Sequence, residues 1–371
     1  MDIMTQALKR AAGEHLKSLL ATLTRNRFSG VLTGAFVTSV IQSSSVTTVI
    51  LVGFISAGLL SMGQSVAVIM GANIGTTITA QILAFKVTKL ALPILAAGFL
   101  VSAVAKRENW RQYGLMALGL GLIFYGMGVM SSAVGPLRSY EPFIRFMTTM
   151  QNPLLAAFAG AAFTAVIQSS SATTGILIAM AGQGLIGLEA AIAITLGANI
   201  GTCITAVLAA IGKPREAMRA AAVHTLFNVA GVLLWIGFVP QLAELARAIS
   251  PVHENLSATA RLAAETPRQI ANVHTFFNVA NTFIFIGFTT QIARFVNWLI
   301  PDKPLKEAEE MAPKYLDESL LLTPSIALVG ARREAVRLGR LVRDMLDEVV
   351  PAAIARDAGA LDGIAAKDKI I

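Results

Sequence analysis

Charge is scarce in this sequence. Asp, Glu, Lys and Arg together make up 14% of its 371 residues, where a soluble domain carries about a quarter. Cysteine is nearly absent: the single Cys203 excludes an intramolecular disulfide and reads as a small hydrophobe. Residues 1–27 hold Lys9, Arg10, Lys17, Arg25 and Arg27 with only short apolar groups between them, which excludes the continuous apolar core of a signal peptide. They read as a cytoplasmic amphipathic segment. The net charge of +8 does not point to nucleic acid, because the basic residues sit in short loops between apolar runs and no aromatic-basic surface accompanies them. What is abundant is apolar surface: 55% hydrophobic residues and a mean hydropathy of +0.66. The composition is that of an all-α integral membrane protein embedded in a lipid bilayer.

One stretch occurs twice. Residues 33–84 and 159–210 align without a gap at an offset of 126 and agree at 26 of 52 positions. The agreement gathers at V-I-Q-S-S-S-x-T-T and at G-A-N-I-G-T-x-I-T-A. Such a unit is too long for a solenoid repeat and has the size of half a membrane domain.

Within each copy the pattern predicts two devices. Residues 28–60 and 154–187 are apolar but polar at the centre, which suits a re-entrant helical hairpin with the Q-S-S-S block at its tip. Residues 62–85 and 189–212 have the length of one crossing, and the glycines around Asn73 and Asn199 predict a broken helix. Further crossings are expected at 87–105, 113–134, about 220–240 and about 272–298, making about six full crossings. The glycines Gly114, Gly119, Gly121, Gly126 and Gly128 suit close helix packing, within the chain or in a homodimer. Shifting by 126 places the counterpart of this crossing upstream of residue 1, so the first repeat is expected to lack it.

The chain divides into the segment 1–27, transport repeat 1 (28–112), transport repeat 2 (113–240), an outer loop with the last crossing (241–300), and a short soluble helical tail (301–371). With residues 1–27 inside, segments 106–111 and 213–219 also fall inside, and the inside segments hold 11 Lys and Arg; the longer outside loops (86–89, 135–153, 241–270) hold 7. The repeats then enter from opposite faces, an inverted-topology pair with its site at the midplane, and both termini are cytoplasmic.

The duplicated stretches 33–84 and 159–210 contain one acidic or basic side chain, Glu189. That argues against a proton-coupled carrier, which needs an intramembrane carboxylate or histidine relay, and against an enzyme, which needs a positioned acid, base or metal set. Hydroxyls, amides and glycine-exposed backbone remain. Gln42, Ser43, Ser44 and Ser45, and equally Gln168, Ser169, Ser170 and Ser171, can hold an oxyanion with hydroxyls and a half-helix N-terminus, without an arginine. Asn73, Thr76 and Thr77, with Asn199 and Thr202, offer oxygens to a hard monovalent cation. Cys203 replaces Thr77 in the second copy, and a thiol is a poor sodium ligand. No resident metal or cofactor is expected.

A smaller echo, AVHTLFNVAG at 222–231 and NVHTFFNVAN at 272–281, sets His224 with Asn228 and His274 with Asn278 on one helical face each. These pairs serve either as interhelical hydrogen bonds or as a polar wall of a path. In the tail, Leu328, Ala331, Ala335, Leu338, Val342, Met345 and Val349 mark an amphipathic helix that needs a partner, within the chain or in the cytoplasm.

The doubled VIQSSSVTT and VIQSSSATT, each followed by GANIGT, resembles the paired signature of the type II sodium-dependent phosphate cotransporters, bacterial members included, over about residues 28–300. The resemblance implies sodium-driven movement of inorganic phosphate across the plasma membrane by alternating access. Phosphate contacts then fall on Gln42 to Ser45 and Gln168 to Ser171. Sodium contacts fall on Thr47, Thr48, Thr173 and Thr174, together with Asn73, Thr76, Thr77, Asn199 and Thr202. The tail from about 317 resembles the opening helix of a PhoU-like domain. Alternatives on the same fold are phosphate export, another oxyanion as cargo, or a non-transporting membrane sensor or scaffold.

Overall fold

The computed structural model describes residues 26–56, 60–85, 90–212, 215–301 and 324–367, with Ile3, Met4, Ala7, Thr24, Tyr315 and Leu316. Most of the segment 1–27, the loop 86–89 and the start of the tail lie outside the described residues. Helix is the only regular structure among those described.

The first repeat folds as α1 (Arg27–Ile41), α2 (Ser44–Ser56) and α3 (Met62–Ala84). After it come α4 (Ala91–Val104), α5 (Glu108–Val134) and α6 (Glu141–Thr149). The second repeat supplies α7 (Pro153–Ile167), α8 (Ser170–Gly182), α9 (Leu188–Gly201) and α10 (Cys203–Ala210). Every boundary of α1 to α3 recurs in α7 to α10 at the 126-residue offset read from the sequence. The starts are capped as their sequences dictate. Asn26 and Ser29 form a capping box on α1, Ser61 and Gln64 form one on α3, and Asn152 with Pro153 opens α7.

Glycines decide how closely the first and third helices of each repeat approach. A β-carbon on Gly71 would stand 2.0 Å from the Val31 carbonyl oxygen, and one on Gly75 2.4 Å from that of Ala35. In the second repeat, Gly197 and Gly201 would meet the Ala157 and Ala161 carbonyl oxygens at 1.8 and 2.3 Å. The glycines beside Asn73 therefore serve backbone contact rather than a break. The expectation of a broken helix at 62–85 is corrected: α3 runs unbroken from Met62 to Ala84. Only the second copy is interrupted, at Thr202 between α9 and α10.

Among the described residues five helical stretches are long and apolar enough to cross a membrane: Met62–Ala84, Glu108–Leu137, Leu188–Ala210, Arg215–Ala248 and Ala260–Leu299. The sixth crossing, expected at 87–105, is the 14-residue α4. It packs closely on α5: a β-carbon on Gly98 would lie 2.2 Å from the Leu118 nitrogen, and one on Gly114 2.4 Å from that of Ser102. A β-carbon on Gly121 would also meet α4, 2.6 Å from the Leu95 nitrogen, whereas Gly126 and Gly128 face open space.

The 222–231 echo belongs to a longer one. α11 (Arg215–Trp235), a 3-10 turn (Ile236–Phe238) and α12 (Val239–Ala248) are repeated as α13 (Ala258–Phe285), a 3-10 turn (Ile286–Phe288) and α14 (Thr289–Leu299). The segments expected as loops, 135–153 and 241–270, therefore contain α6, α12 and the first turns of α13. α11 and α13 cross antiparallel where a β-carbon on Gly231 would meet the Asn281 side chain at 2.3 Å. Phe227 and Phe285, and Trp235 and Phe276, stack edge-on with centroids 5.8 Å apart on either side of the crossing. The tail holds α15 (Pro324–Ala355), which covers the amphipathic register, and α16 (Ala358–Lys367).

Candidate functional site

Each hairpin turns on one glutamine in the left-handed region. Gln42 has φ 59° and ψ 24°, and Gln168 has φ 59° and ψ 27°. The backbone N–H of Gln42 donates to the Thr38 carbonyl at 2.7 Å, and that of Gln168 to Thr164 at 2.6 Å. Thr38 and Thr47 then share a hydroxyl hydrogen bond of 2.8 Å across the hairpin, as do Thr164 and Thr173 at 2.8 Å. A turn this tight aims the N-terminus of α2 or α8, with its unpaired N–H groups, at the tip.

The serines at these tips divide the work. The Ser43 hydroxyl accepts from the Val46 N–H at 3.3 Å, and the Ser169 hydroxyl from Ala172 at 3.2 Å, so both are helix caps. Ser44 and Ser170 are buried in the first turn behind the tip. The copies differ at their outer members: Ser45 is buried and Gln42 half-buried, whereas Ser171 is half-buried and Gln168 exposed. Thr48 and Thr174 donate to the Ser44 and Ser170 carbonyls at 2.9 and 2.8 Å, leaving their lone pairs open.

Each tip rests on the G-A-N-I-G-T helix of its own repeat. The Thr79 hydroxyl donates to Gln42 Oε1, and its counterpart Thr205 donates to the Gln168 carbonyl at 3.5 Å. Asn73, Thr76, Thr77, Asn199 and Thr202 are all buried. Asn73 Nδ2 donates to Ile69 O at 3.0 Å, while Thr76 and Thr77 donate to Ala72 and Ile74 at 3.0 and 2.8 Å. Cys203, at the position of Thr77, takes a different acceptor, its thiol donating to Asn199 O at 3.4 Å and lying 3.7 Å from His224 O. The repeats also pack crosswise: Val52 of α2 lies on Ala206 and Ala210 of α10, and a β-carbon on Gly175 of α8 would touch Leu83 of α3 at 3.3 Å.

The one acidic or basic residue of the duplicated stretches lies outside this centre. Glu189 opens α9, half-exposed, 3.8 Å from Arg247, on a concavity of about 1610 Å³ that Arg261 and Glu265 also line. None of the sequence-predicted site residues lines that concavity; Gln42 instead lines an apolar one of about 610 Å³ with Ile78, Ile82 and Phe124. The residues that the sequence reading missed are Thr38, Thr164, Thr79 and Thr205. All four are identical at the 126-residue offset, which was the signal available.

A family model described as Na+/Pi-cotransporter matches residues 1–132 and 140–252, both Q-S-S-S tips included. The chain belongs to the Na+/Pi-cotransporter family. This is a family of transporters and not of enzymes. The uncharacterized protein YqeW of Bacillus subtilis is 34% identical over 252 residues, covering 68% of this chain and 82% of its own. YjbB of Escherichia coli, named as a candidate inorganic phosphate export protein, is 27% identical over 346 residues, 93% of this chain and 61% of its own. Sodium-dependent phosphate transport protein 2A of Rattus norvegicus is 25% identical, covering 63% of this chain and 58% of its own. The chain thus spans about three fifths of the length of the relatives named for phosphate. No solved structure matches it.

Proposed function

We propose that this chain moves inorganic phosphate across the cell membrane by sodium-coupled alternating access, with the two Q-S-S-S tips as its phosphate site. The observation that carries the reading is the matched pair of turns: two left-handed glutamines, 126 residues apart, each beside a buried serine and a helix N-terminus. A helix N-terminus carries about half a positive charge, and two of them with four to six hydroxyls can replace the hydration of an oxyanion without a fixed cation. The absence of a carboxylate from the described interior of either repeat favours an anion there. Thr47, Thr48, Thr173, Thr174, Asn73, Thr76, Thr77, Asn199 and Thr202 then serve as the neutral oxygens among which sodium is held.

In this reading α1–α2 and α7–α8 are re-entrant hairpins entering from opposite faces, both termini are cytoplasmic, and the repeats form an inverted pair. The amphipathic α15 is left to meet a cytoplasmic partner. The name of YjbB favours a second reading, net export through the same site under a reversed gradient. Uptake of radiolabelled phosphate into proteoliposomes holding the whole chain tests the function. An inward sodium gradient is expected to drive accumulation at least tenfold above an equal potassium gradient; equal accumulation with either cation, or none, contradicts sodium coupling.

A further inference from the structure

The seam between α11 and α13 holds buried polar side chains with hydrogen-bonding atoms left over. His224, Asn228, His274, Asn278 and Asn281 are all at most 2% exposed. Both ring nitrogens of His224, the Oδ1 atoms of Asn228 and Asn278, and both ends of the Asn281 amide have no hydrogen-bond partner. Each such group costs about 1–3 kcal/mol when left unsatisfied in a protein interior, and a native structure keeps few of them.

On α13 these groups become an oxygen set. Asn278 Nδ2 donates to the His274 carbonyl at 2.9 Å, so Oδ1 is its free end. Thr282 donates to the Asn278 carbonyl at 2.8 Å and stands 3.5 Å from the Met70 carbonyl of α3. Asn278, Asn281 and Thr282 are spaced to share one face and one turn. No three His, Cys, Asp or Glu residues cluster among the described residues. Neutral amide and hydroxyl oxygens without a carboxylate suit a hard monovalent cation and are too weak for a divalent one.

We propose that Asn278, Asn281 and Thr282 of α13 hold a sodium-sized cation at the seam where α13 meets α11 and α3. The proposal rests on the sodium-coupled reading above and names a station for the ion that neither repeat motif contains. The 50-residue echo makes it specific. α11 keeps Asn228 in the place of Asn278 but has Gly231 and Val232 where α13 has Asn281 and Thr282. One complete station therefore exists at this seam, not two. His274 ties it to the second repeat, since its Nε2 lies 3.3 Å from Asn199 Oδ1.

The test follows the unfolding temperature of the full chain in detergent, free of phosphate, as sodium chloride replaces choline chloride at constant ionic strength. A cation that binds only the folded state raises that temperature with its concentration. The wild type is expected to show such a rise. Thr282→Val and Asn281→Leu, close in volume, are expected to move its midpoint at least tenfold toward higher sodium; Thr282→Ser, which keeps the hydroxyl and guards against a mere packing defect, is expected to retain it. A wild type indifferent to sodium, or an unchanged midpoint in both Thr282→Val and Asn281→Leu, overturns the station. Uptake in proteoliposomes separates the two ideas. Sodium-dependent uptake with unaltered sodium dependence in both variants removes only the station, whereas wild-type uptake indifferent to sodium removes the coupled reading itself.

Discussion

Gln42 and Gln168 hold a backbone conformation that costs an L-residue about 1–2 kcal/mol, and both copies keep it with a glutamine rather than a glycine. The side chain explains the choice in the first copy, where Gln42 receives the Thr79 hydroxyl and reaches back to the Ser39 carbonyl. Gln42→Gly is therefore expected to separate fold from function. Stability should stay within about 1 kcal/mol of wild type, because relief of the turn offsets the lost bonds, while phosphate uptake falls at least tenfold. Thermal unfolding and uptake measured on the same preparation check both halves. At this scale the tips were legible in the sequence because they are identical twice. The division of labour within S-S-S was not: only the structure shows that Ser43 and Ser169 cap their helices while Ser44 and Ser170, the next residues, open them and are buried.

At the scale of the element, the third helix of each repeat exists in its position because glycine lets it touch the first. Gly71→Ala and Gly197→Ala each drive a β-carbon into a carbonyl oxygen at 2.0 and 1.8 Å. The backbone cannot yield as a side-chain tip could, and each substitution is expected to cost about 3 kcal/mol or more and to lower the yield of folded protein. Gly128→Ala meets nothing within 4 Å and removes a poor helix former from α5; it is expected to be neutral or to stabilise by up to about 1 kcal/mol. Melting curves of the three variants in one detergent check the contrast. The sequence shows glycines beside Asn73 but not whether they bend a helix or admit a neighbour, which is why an unbroken α3 was not foreseen. For the same reason five glycines in α5 looked alike, although Gly114 and Gly121 face α4 and Gly126 and Gly128 face nothing.

Across the whole molecule the doubled register was the legible part, and it survives as helix boundaries that recur at one offset. The short helices α6 and α12 were not foreseen, because nine or ten residues with one apolar face leave no hydropathy run to read. The proposed inverted arrangement makes a topological prediction. In a Cys203→Ala background, a membrane-impermeant thiol reagent should label Gln151→Cys on intact cells and Lys106→Cys only once the cells are permeabilised. Labelling of both from one side would contradict the inverted pair.

The central claim is that two tips, one from each repeat, act together on one phosphate. It is tested most directly by sodium-driven phosphate uptake into proteoliposomes by Ser44→Ala, Ser170→Ala and the double variant. The account predicts that each single variant loses at least tenfold and that the double variant is little worse than either, because both serines serve one site. Full uptake in either single variant would show that one tip is dispensable and would contradict the two-tip site.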